Sequence, residues 1–159
     1  MACGSLAFSA ATREAQAQQR SQQPAQRFQP EVRADYIGSR AAAAHLGFGL
    51  NVPATTYVRL GIVAALGQAW SGGNATTAGR VDGLVRFVVD PLRESRWAPY
   101  AAGGIGGIYD GPEKWRAVLV GVIGAEGPVT GRVVPAIELG FGGGVRVGFV
   151  LRRAMRGRR

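Results

Sequence analysis

Residues that usually build catalytic and metal sites are scarce in this chain. Its 159 residues include one cysteine, Cys3, and one histidine, His45. A single cysteine cannot form a disulfide within the chain, and no spacing of His, Cys, Asp or Glu matches a metal-ligand pattern. The glycine runs at residues 103–107 and 142–144 do not open a helix, so they do not predict a phosphate-binding loop. The sequence therefore predicts no cofactor, no metal and no catalytic activity.

Lysine is almost absent, and long apolar runs are absent altogether. Lys114 is the only lysine, so the formal charge of +9 comes almost entirely from arginine. The chain ends in an arginine-rich tail that could contact anionic lipid headgroups. No aromatic platform accompanies these arginines, so we expect no nucleic-acid partner. They are Arg152, Arg153, Arg156, Arg158 and Arg159.

No stretch approaches the roughly 20 apolar residues of a membrane-spanning helix, so any insertion into a bilayer must use strands. Glycine and proline are abundant, at 25 and 8 residues, which argues against a helical fold. Residues 1–27 lack apolar periodicity, and Ala15-Gln16-Ala17 has the small-x-small form of a signal-peptidase site. We therefore predict a signal-like or disordered segment at residues 1–27, a β-domain at 28–153 and a basic tail at 154–159.

From residue 30 onward, polar and apolar side chains alternate with the period of two that is typical of β-strands. In residues 80–90 the polar members are even-numbered, while most of the odd-numbered ones are apolar. The pattern recurs in eight segments separated by polar turns, of which residues 71–79 are predicted to be the longest loop. Pro135 falls within a segment, which predicts a bulge or a later strand start. The sequence predicts an all-β fold: an antiparallel, up-and-down, eight-stranded β-barrel.

Each strand has one apolar face and one face that mixes charges with glycines. Opposite charges inside a narrow barrel can pair, and glycines leave room for arginine side chains. We predict a charge network in the lumen formed by Arg33, Asp35, Arg59, Asp82, Arg86, Arg116, Glu138 and Arg146. Aromatic residues gather near strand ends on the apolar face, as in the interfacial girdles of membrane barrels. The predicted interfacial residues are Tyr36, Trp70, Tyr109, Trp115 and Phe141 at one rim and Trp97 at the other.

Three runs carry a resemblance to a known family: RWAPYAAGGIGGIYDG at residues 96–111, AIELGFGGGVRVGFVLRR at 136–153 and HLGFGLNVP at 45–53. In these runs the chain resembles the small eight-stranded β-barrel proteins of bacterial outer membranes. The resemblance implies an outer-membrane location, both termini in the periplasm, and contact with outer-membrane lipid and the barrel-assembly machinery. It also implies a structural or interaction role, and we expect a monomer. A lumen filled by side chains predicts no wide pore.

Two other functions stay open at this level. A soluble periplasmic or secreted β-barrel could bind a lipophilic ligand, in which case Leu60, Phe87 and Phe149 would line the interior instead of facing lipid. Some barrels of the family modify acyl groups of lipid A, which here would require His45 together with Ser39 or Ser71. A lone histidine beside glycines in mid-strand is more often a hydrogen-bonded interior residue than a base, so we favour the non-catalytic barrel.

Overall fold

In the computed structural model, residues 28–39, 42–109 and 115–154 are described, and they form eight antiparallel strands. The strands are β1 (Gln29–Gly38), β2 (Ala42–Pro53), β3 (Val58–Ser71), β4 (Asn74–Val88), β5 (Ala98–Tyr109), β6 (Trp115–Glu126), β7 (Val133–Phe141) and β8 (Val145–Arg153). The predicted all-β class and strand number are confirmed. The predicted segment at residues 1–27 and the tail beyond Ala154 lie outside the described residues. No helix within these ranges is long and apolar enough to cross a membrane.

The strands close into an up-and-down barrel. Each strand pairs with the next one in sequence, and β8 pairs back with β1. The stagger of the strands follows from the pairing registers. A line that starts at Glu126 of β6 and passes from each residue to its partner on the next strand returns to β6 at Arg116, ten positions away. Eight strands with this stagger tilt by about 35–45° and enclose an interior just wide enough for side chains to fill.

The ladders between neighbouring strands differ in length. β3 and β4 pair at 14 positions, whereas β6 and β7 pair at six, from Gly121 with Phe141 to Glu126 with Ala136. Beyond Phe141 the chain turns through residues 142–144 into β8. The rim far from the chain termini therefore has a step between β6 and β7.

The predicted long loop at residues 71–79 is wrong. β3 continues to Ser71 and β4 begins at Asn74, so that only Gly72 and Gly73 connect them. Both glycines have positive φ, 56° and 85°, as a tight two-residue hairpin turn requires. The β-branched Thr76 and Thr77 then sit in the strand, where such side chains are favoured.

The longer connections lie at the end of the barrel where the chain enters and leaves, here called the terminus-side rim. One of them, residues 89–97, is organised by Asp90, whose carboxylate accepts hydrogen bonds from the backbone N–H groups of Glu94 (3.1 Å) and Ser95 (2.7 Å). The bond from Ser95, more than that from Glu94, holds the pKa of the exposed Asp90 carboxyl below its ordinary value. Asp90 thus closes a turn in which Arg93 has a φ of 59°.

Pro135 lies inside β7 without breaking the barrel. In an antiparallel pair, the N and O atoms of one residue point toward the same neighbouring strand. The Pro135 carbonyl accepts a hydrogen bond from Gly127 N (2.7 Å), just past the last paired position of β6 and β7. The missing N–H of Pro135 therefore faces the β6–β7 turn, where no ladder bond is lost, and the predicted bulge is not needed.

Side chains alternate between the outer and the inner face of the barrel. The alternation is clearest in β8, where exposed and buried residues alternate from Val145 to Arg153. The outer face is apolar: Leu46, Ile105 and Leu119, for example, are each at least 70% exposed. The inner face holds an apolar cluster of Val63, Leu84, Ala102, Val120 and Val122, contributed by β3 to β6. The rest of the inner face is dominated by charged residues.

Candidate functional site: a buried charge network in the lumen

Buried charged residues converge on the barrel interior. Six arginines and five carboxylates are at most 9% exposed: Glu31, Arg33, Asp35, Arg59, Arg80, Asp82, Arg86, Glu126, Glu138, Arg146 and Arg152. Every one of these side chains makes at least one ion pair. We call this set the lumen network. Buried charges are normally matched in this way, because an unpaired charge in a low-dielectric interior costs several kcal/mol.

Arg33 joins three carboxylates of the network. Its guanidinium donates to Asp35 (Nε to Oδ2, 2.9 Å), to Glu31 (Nη1 to Oε1, 3.2 Å) and to Glu138. Arg33 and its neighbours on β1 face inward at every second position, while Glu138 comes from β7. A planar guanidinium presents several donors in a fixed geometry, so one arginine can join carboxylates from two strands.

Arg152 likewise joins carboxylates from different strands, nearer the terminus-side rim. It donates to Glu31 (2.8 Å), Glu138 (2.7 Å) and Glu126 (3.2 Å), and its Nη2 also lies 3.0 Å from the Tyr100 hydroxyl. The Tyr100 hydroxyl in turn donates to Glu138 Oε1 (2.6 Å). Arg152 is fully buried, so its predicted place in a basic tail that contacts lipid headgroups is wrong.

The ring of Tyr100 is held between two arginines. The guanidinium carbons of Arg86 and Arg152 lie 5.1 and 4.9 Å from its centroid. Arg86 also donates to Asn51 (2.9 Å), whose amide donates to Glu31 (2.9 Å). A single aromatic ring thus attracts both guanidinium groups through its π-system.

A second group lies toward the far rim. Arg146 donates to Asp35 through Nε (3.2 Å) and Nη2 (3.0 Å), and to Asp82 through Nη1 (3.2 Å). Arg80 donates to Asp82 from Nε (3.2 Å) and Nη2 (3.0 Å). Asp35 joins this group to Arg33, so the network runs continuously along the barrel.

Glu126 closes the network at the terminus-side rim. Its two oxygens accept bonds from Arg59 (3.2 Å), Arg152 (3.2 Å) and Arg93 (2.7 Å). Arg93 comes from the β4–β5 connection, not from a strand. That connection therefore folds against the mouth of the barrel and is tied to the interior by a charged side chain.

Seven of the eight residues predicted for the lumen network are brought together, and Arg116 is not. Arg116 has the inward-facing parity of β6 but lies near its start, at the far rim, where its side chain is exposed. The prediction omitted Glu31, Arg80, Glu126, Arg152 and Tyr100. Glu31 and Arg80 stand at positions whose even or odd number in the strand predicts an inward side chain. Glu126 and Arg152 stand at strand ends, where the residues typical of a turn and of a basic tail hide the alternation.

His45 is buried on the inner face of β2, opposite Asp35 in the register. Neither ring nitrogen has a hydrogen-bond partner among the described residues. Ser71 ends β3, four positions beyond Gly67, which pairs with His45, and Ser39 follows the end of β1 at the rim. The structure thus does not bring His45 together with either serine as a catalytic pair.

The predicted interfacial aromatics lie on the outer face. Tyr36, Trp70, Tyr109, Trp115 and Phe141 stand at or near the far ends of β1, β3, β5, β6 and β7, and Trp97 precedes β5 at the terminus-side rim. Tyr109 and Trp115 are ring neighbours at 5.9 Å. A second ring pair, Tyr57 with Phe87 at 6.0 Å, lies near the terminus-side rim. The predicted interfacial set does not include this pair, because neither aromatic residue is isolated at the end of a strand.

Within the described ranges, no group of three His, Cys, Asp or Glu side chains could hold a metal ion. A scan against models of protein families finds no match for the chain, and a search of curated proteins finds no similar sequence. The function of this chain must therefore be inferred from the barrel itself.

Proposed function

We propose that this chain spans a bilayer as a β-barrel of the bacterial outer membrane and acts in a structural or interaction role without catalysis. The observation that carries the proposal is the inverted sorting of side chains. Charged residues fill the interior, and large apolar residues cover the outside. A soluble barrel minimises free energy with the opposite arrangement, because exposed apolar area costs about 25 cal/mol per Å².

The outer apolar surface is far larger than the patches that soluble monomers expose. Leu60, Phe87 and Phe149 are 49%, 52% and 48% exposed on the barrel exterior. The alternative of a soluble, ligand-binding barrel would have these side chains lining the interior, where the lumen network stands instead. Leu46, Leu66 and Ile137 are 72%, 72% and 56% exposed on the same outer face. Lipid acyl chains fit such a surface.

Strand length also suits a membrane. The strands run from nine to 15 residues, and a tilted strand needs about nine to 11 to cross the hydrocarbon layer. The interior is occupied by paired side chains, so the proposal excludes a wide pore. Outer-membrane lipid and the barrel-assembly machinery are the partners that this proposal implies, with a monomer as the working unit. We do not propose a lipid-modifying enzyme, because in the described part of the chain neither Ser39 nor Ser71 lies beside His45.

The test is fractionation of bacterial cells that express the full chain, followed by gel migration of the detergent extract with and without boiling. We expect the chain to sediment with outer membranes and to run faster before boiling than after, because a folded barrel is compact and resists the detergent. Recovery in the soluble fraction without detergent would overturn the proposal in favour of the ligand-binding barrel.

A further inference from the structure

Ten of the eleven described arginines fall into two groups that occupy different places, and the eleventh, Arg116, lies at the far rim. Seven are tied to carboxylates, six of them in the lumen and Arg93 at its mouth. Three others, Arg96, Arg132 and Arg153, are exposed and make no side-chain hydrogen bond or ion pair within the described part of the chain. All three lie at the terminus-side rim.

These three arginines occupy one half of that rim. Arg96 lies just before β5, Arg132 just before β7, and Arg153 ends β8. The carbonyl of Arg132 accepts a hydrogen bond from Ala154 N (2.8 Å), and Arg153 pairs with Val133, so that the ends of β7 and β8 are adjacent. The half of the rim formed by β1 to β3 has no exposed charged side chain among the described residues. We call the charged half, Arg96, Trp97, Arg132 and Arg153, the basic arc.

Trp97 joins the basic arc to the apolar belt. It is 49% exposed, and its ring lies close to Gly127, so it packs from the start of β5 across the end of β6. Directly above the arc, Val133 and Leu151 are 40% and 41% exposed on the outer face. An amphipathic ring beside guanidinium groups at the edge of an apolar surface matches the boundary between acyl chains and phosphates in a bilayer.

We propose that the basic arc binds the headgroups of anionic phospholipids, with Arg96, Arg132 and Arg153 pairing with phosphate and Trp97 lying at the level of the glycerol. This inference rests on the proposed function, because it needs the apolar belt to lie in a bilayer. Asp90 and Glu94 are the carboxylates of the adjacent β4–β5 connection, so the three exposed arginines leave a positive balance there. The arc places the terminus-side rim in the leaflet that contains phospholipid, and it makes lipid binding uneven around the barrel.

The experiment uses the full chain with Trp70 and Trp115 replaced by phenylalanine, so that Trp97 reports alone. The protein is folded into vesicles of phosphatidylcholine with about one-third phosphatidylglycerol, and either one or the other lipid carries bromine in its acyl chains. We expect the quenching of Trp97 by brominated phosphatidylglycerol to correspond to a local fraction of this lipid that is about two- to fivefold above its bulk fraction. One surface arginine raises the local concentration of anionic lipid by a factor of about five at most.

The matched control is the chain with Trp97 and Trp115 replaced, which leaves Trp70 at the far rim, where its ladder partners are Ala42 and Ala75. There the two brominated lipids should quench in proportion to their bulk fractions. The triple variant Arg96→Gln, Arg132→Gln, Arg153→Gln should remove the enrichment at Trp97. High salt should remove it in the protein that keeps its arginines, which covers the case in which the triple variant does not fold.

Equal quenching of Trp97 by the two lipids would overturn the inference while leaving the membrane barrel intact. If neither Trp97 nor Trp70 is quenched by either lipid, the protein is not in the bilayer, and it is the proposed function that fails. Competition by inorganic phosphate beyond that of chloride at equal ionic strength would mean that the arc is a site for free phosphate, which also overturns the assignment to lipid.

Discussion

Arg146 in the last strand holds Asp35 in the first strand by two parallel hydrogen bonds, at 3.2 and 3.0 Å. The pair lies inside the barrel at the seam where β8 meets β1, and both side chains are fully buried. The two residues are 111 positions apart. The closure of the barrel is therefore fixed by interior charge as well as by the backbone ladder.

Replacing Asp35 tests how much this interior pairing stabilises the fold. Asp35→Asn keeps the shape of the side chain but leaves Arg33 and Arg146 with less negative charge to balance them. We expect the free energy of unfolding to fall by about 3–5 kcal/mol, the usual cost of breaking a buried ion pair from one side. Urea unfolding of the detergent-folded chain, followed by tryptophan fluorescence, measures it.

Glu94→Gln is the matched control for Asp35→Asn. Glu94 is exposed and makes no side-chain ion pair within the described residues, so its change should stay within about 0.5 kcal/mol. An equally small effect at Asp35 would mean that water, and not Asp35, balances the interior arginines.

Two neighbouring glycines in β5 should respond differently to alanine. A Cβ on Gly104 would collide with the backbone carbonyl of Gly83 on β4, whereas on Gly103 it would meet only Val120 O at 3.9 Å. We expect Gly104→Ala to cost about 2 kcal/mol or more in unfolding free energy and Gly103→Ala to lie within about 0.5 kcal/mol. Similar values for the two variants would show that the β4–β5 pairing is looser than the register implies.

A charge on the outer face separates the membrane barrel from a soluble one. Ile137 is 56% exposed in the apolar belt. Ile137→Arg should lower the stability of the barrel in lipid by about 2–4 kcal/mol if it lies near the middle of the bilayer. Thr76→Arg, in the part of the β3–β4 hairpin that is near its tip, should have little effect. Folding yield in vesicles, measured by heat-modifiable migration, gives the comparison, and equal yields would speak for a soluble surface at Ile137.

The Asp90 turn predicts a pH dependence of the β4–β5 connection. The hydrogen bond from Ser95, above all, keeps the pKa of Asp90 below its ordinary value of 3.8. A carboxyl with a lowered pKa in the folded state stabilises the turn fully above its ordinary pKa, and this stabilisation is lost as the pH falls through the lowered value. Trp97 fluorescence in the single-tryptophan chain should therefore change in acid below pH 4, and Asp90→Ala should show the acid form of the signal already at neutral pH. A signal in Asp90→Ala that still titrates like the parent would assign the transition to another group.

Alternation along the strands was enough to predict the barrel and the inward direction of Arg33, Asp82 and Arg146, because a period of two fixes the face of each residue. It could not predict which charges meet. Arg33 and Glu138 are 105 positions apart, and their contact depends on the stagger that brings β7 opposite β1. No local pattern encodes that stagger.

Errors gathered where strands end. The small and polar residues 74–79 predict a loop, yet pairing with β3 extends the strand through them. Arg116 was placed inside the barrel by its parity alone, although β6 rises beyond its ladder with β7 and leaves that position exposed. The sequence thus predicts which face of the barrel wall a side chain occupies, but it does not predict how far each strand extends along the barrel axis.

The unequal ladders make the wall mechanically uneven. A force applied across the barrel meets 14 paired positions between β3 and β4 but only six between β6 and β7. Rupture should begin at the shorter ladder, and the barrel would then open as a sheet in which β7 and β8 hang as a flap from β1. The Arg146–Asp35 pair would act as the inner hinge of that flap, so the wall would part at β6 before it parts at the junction of the first and last strands.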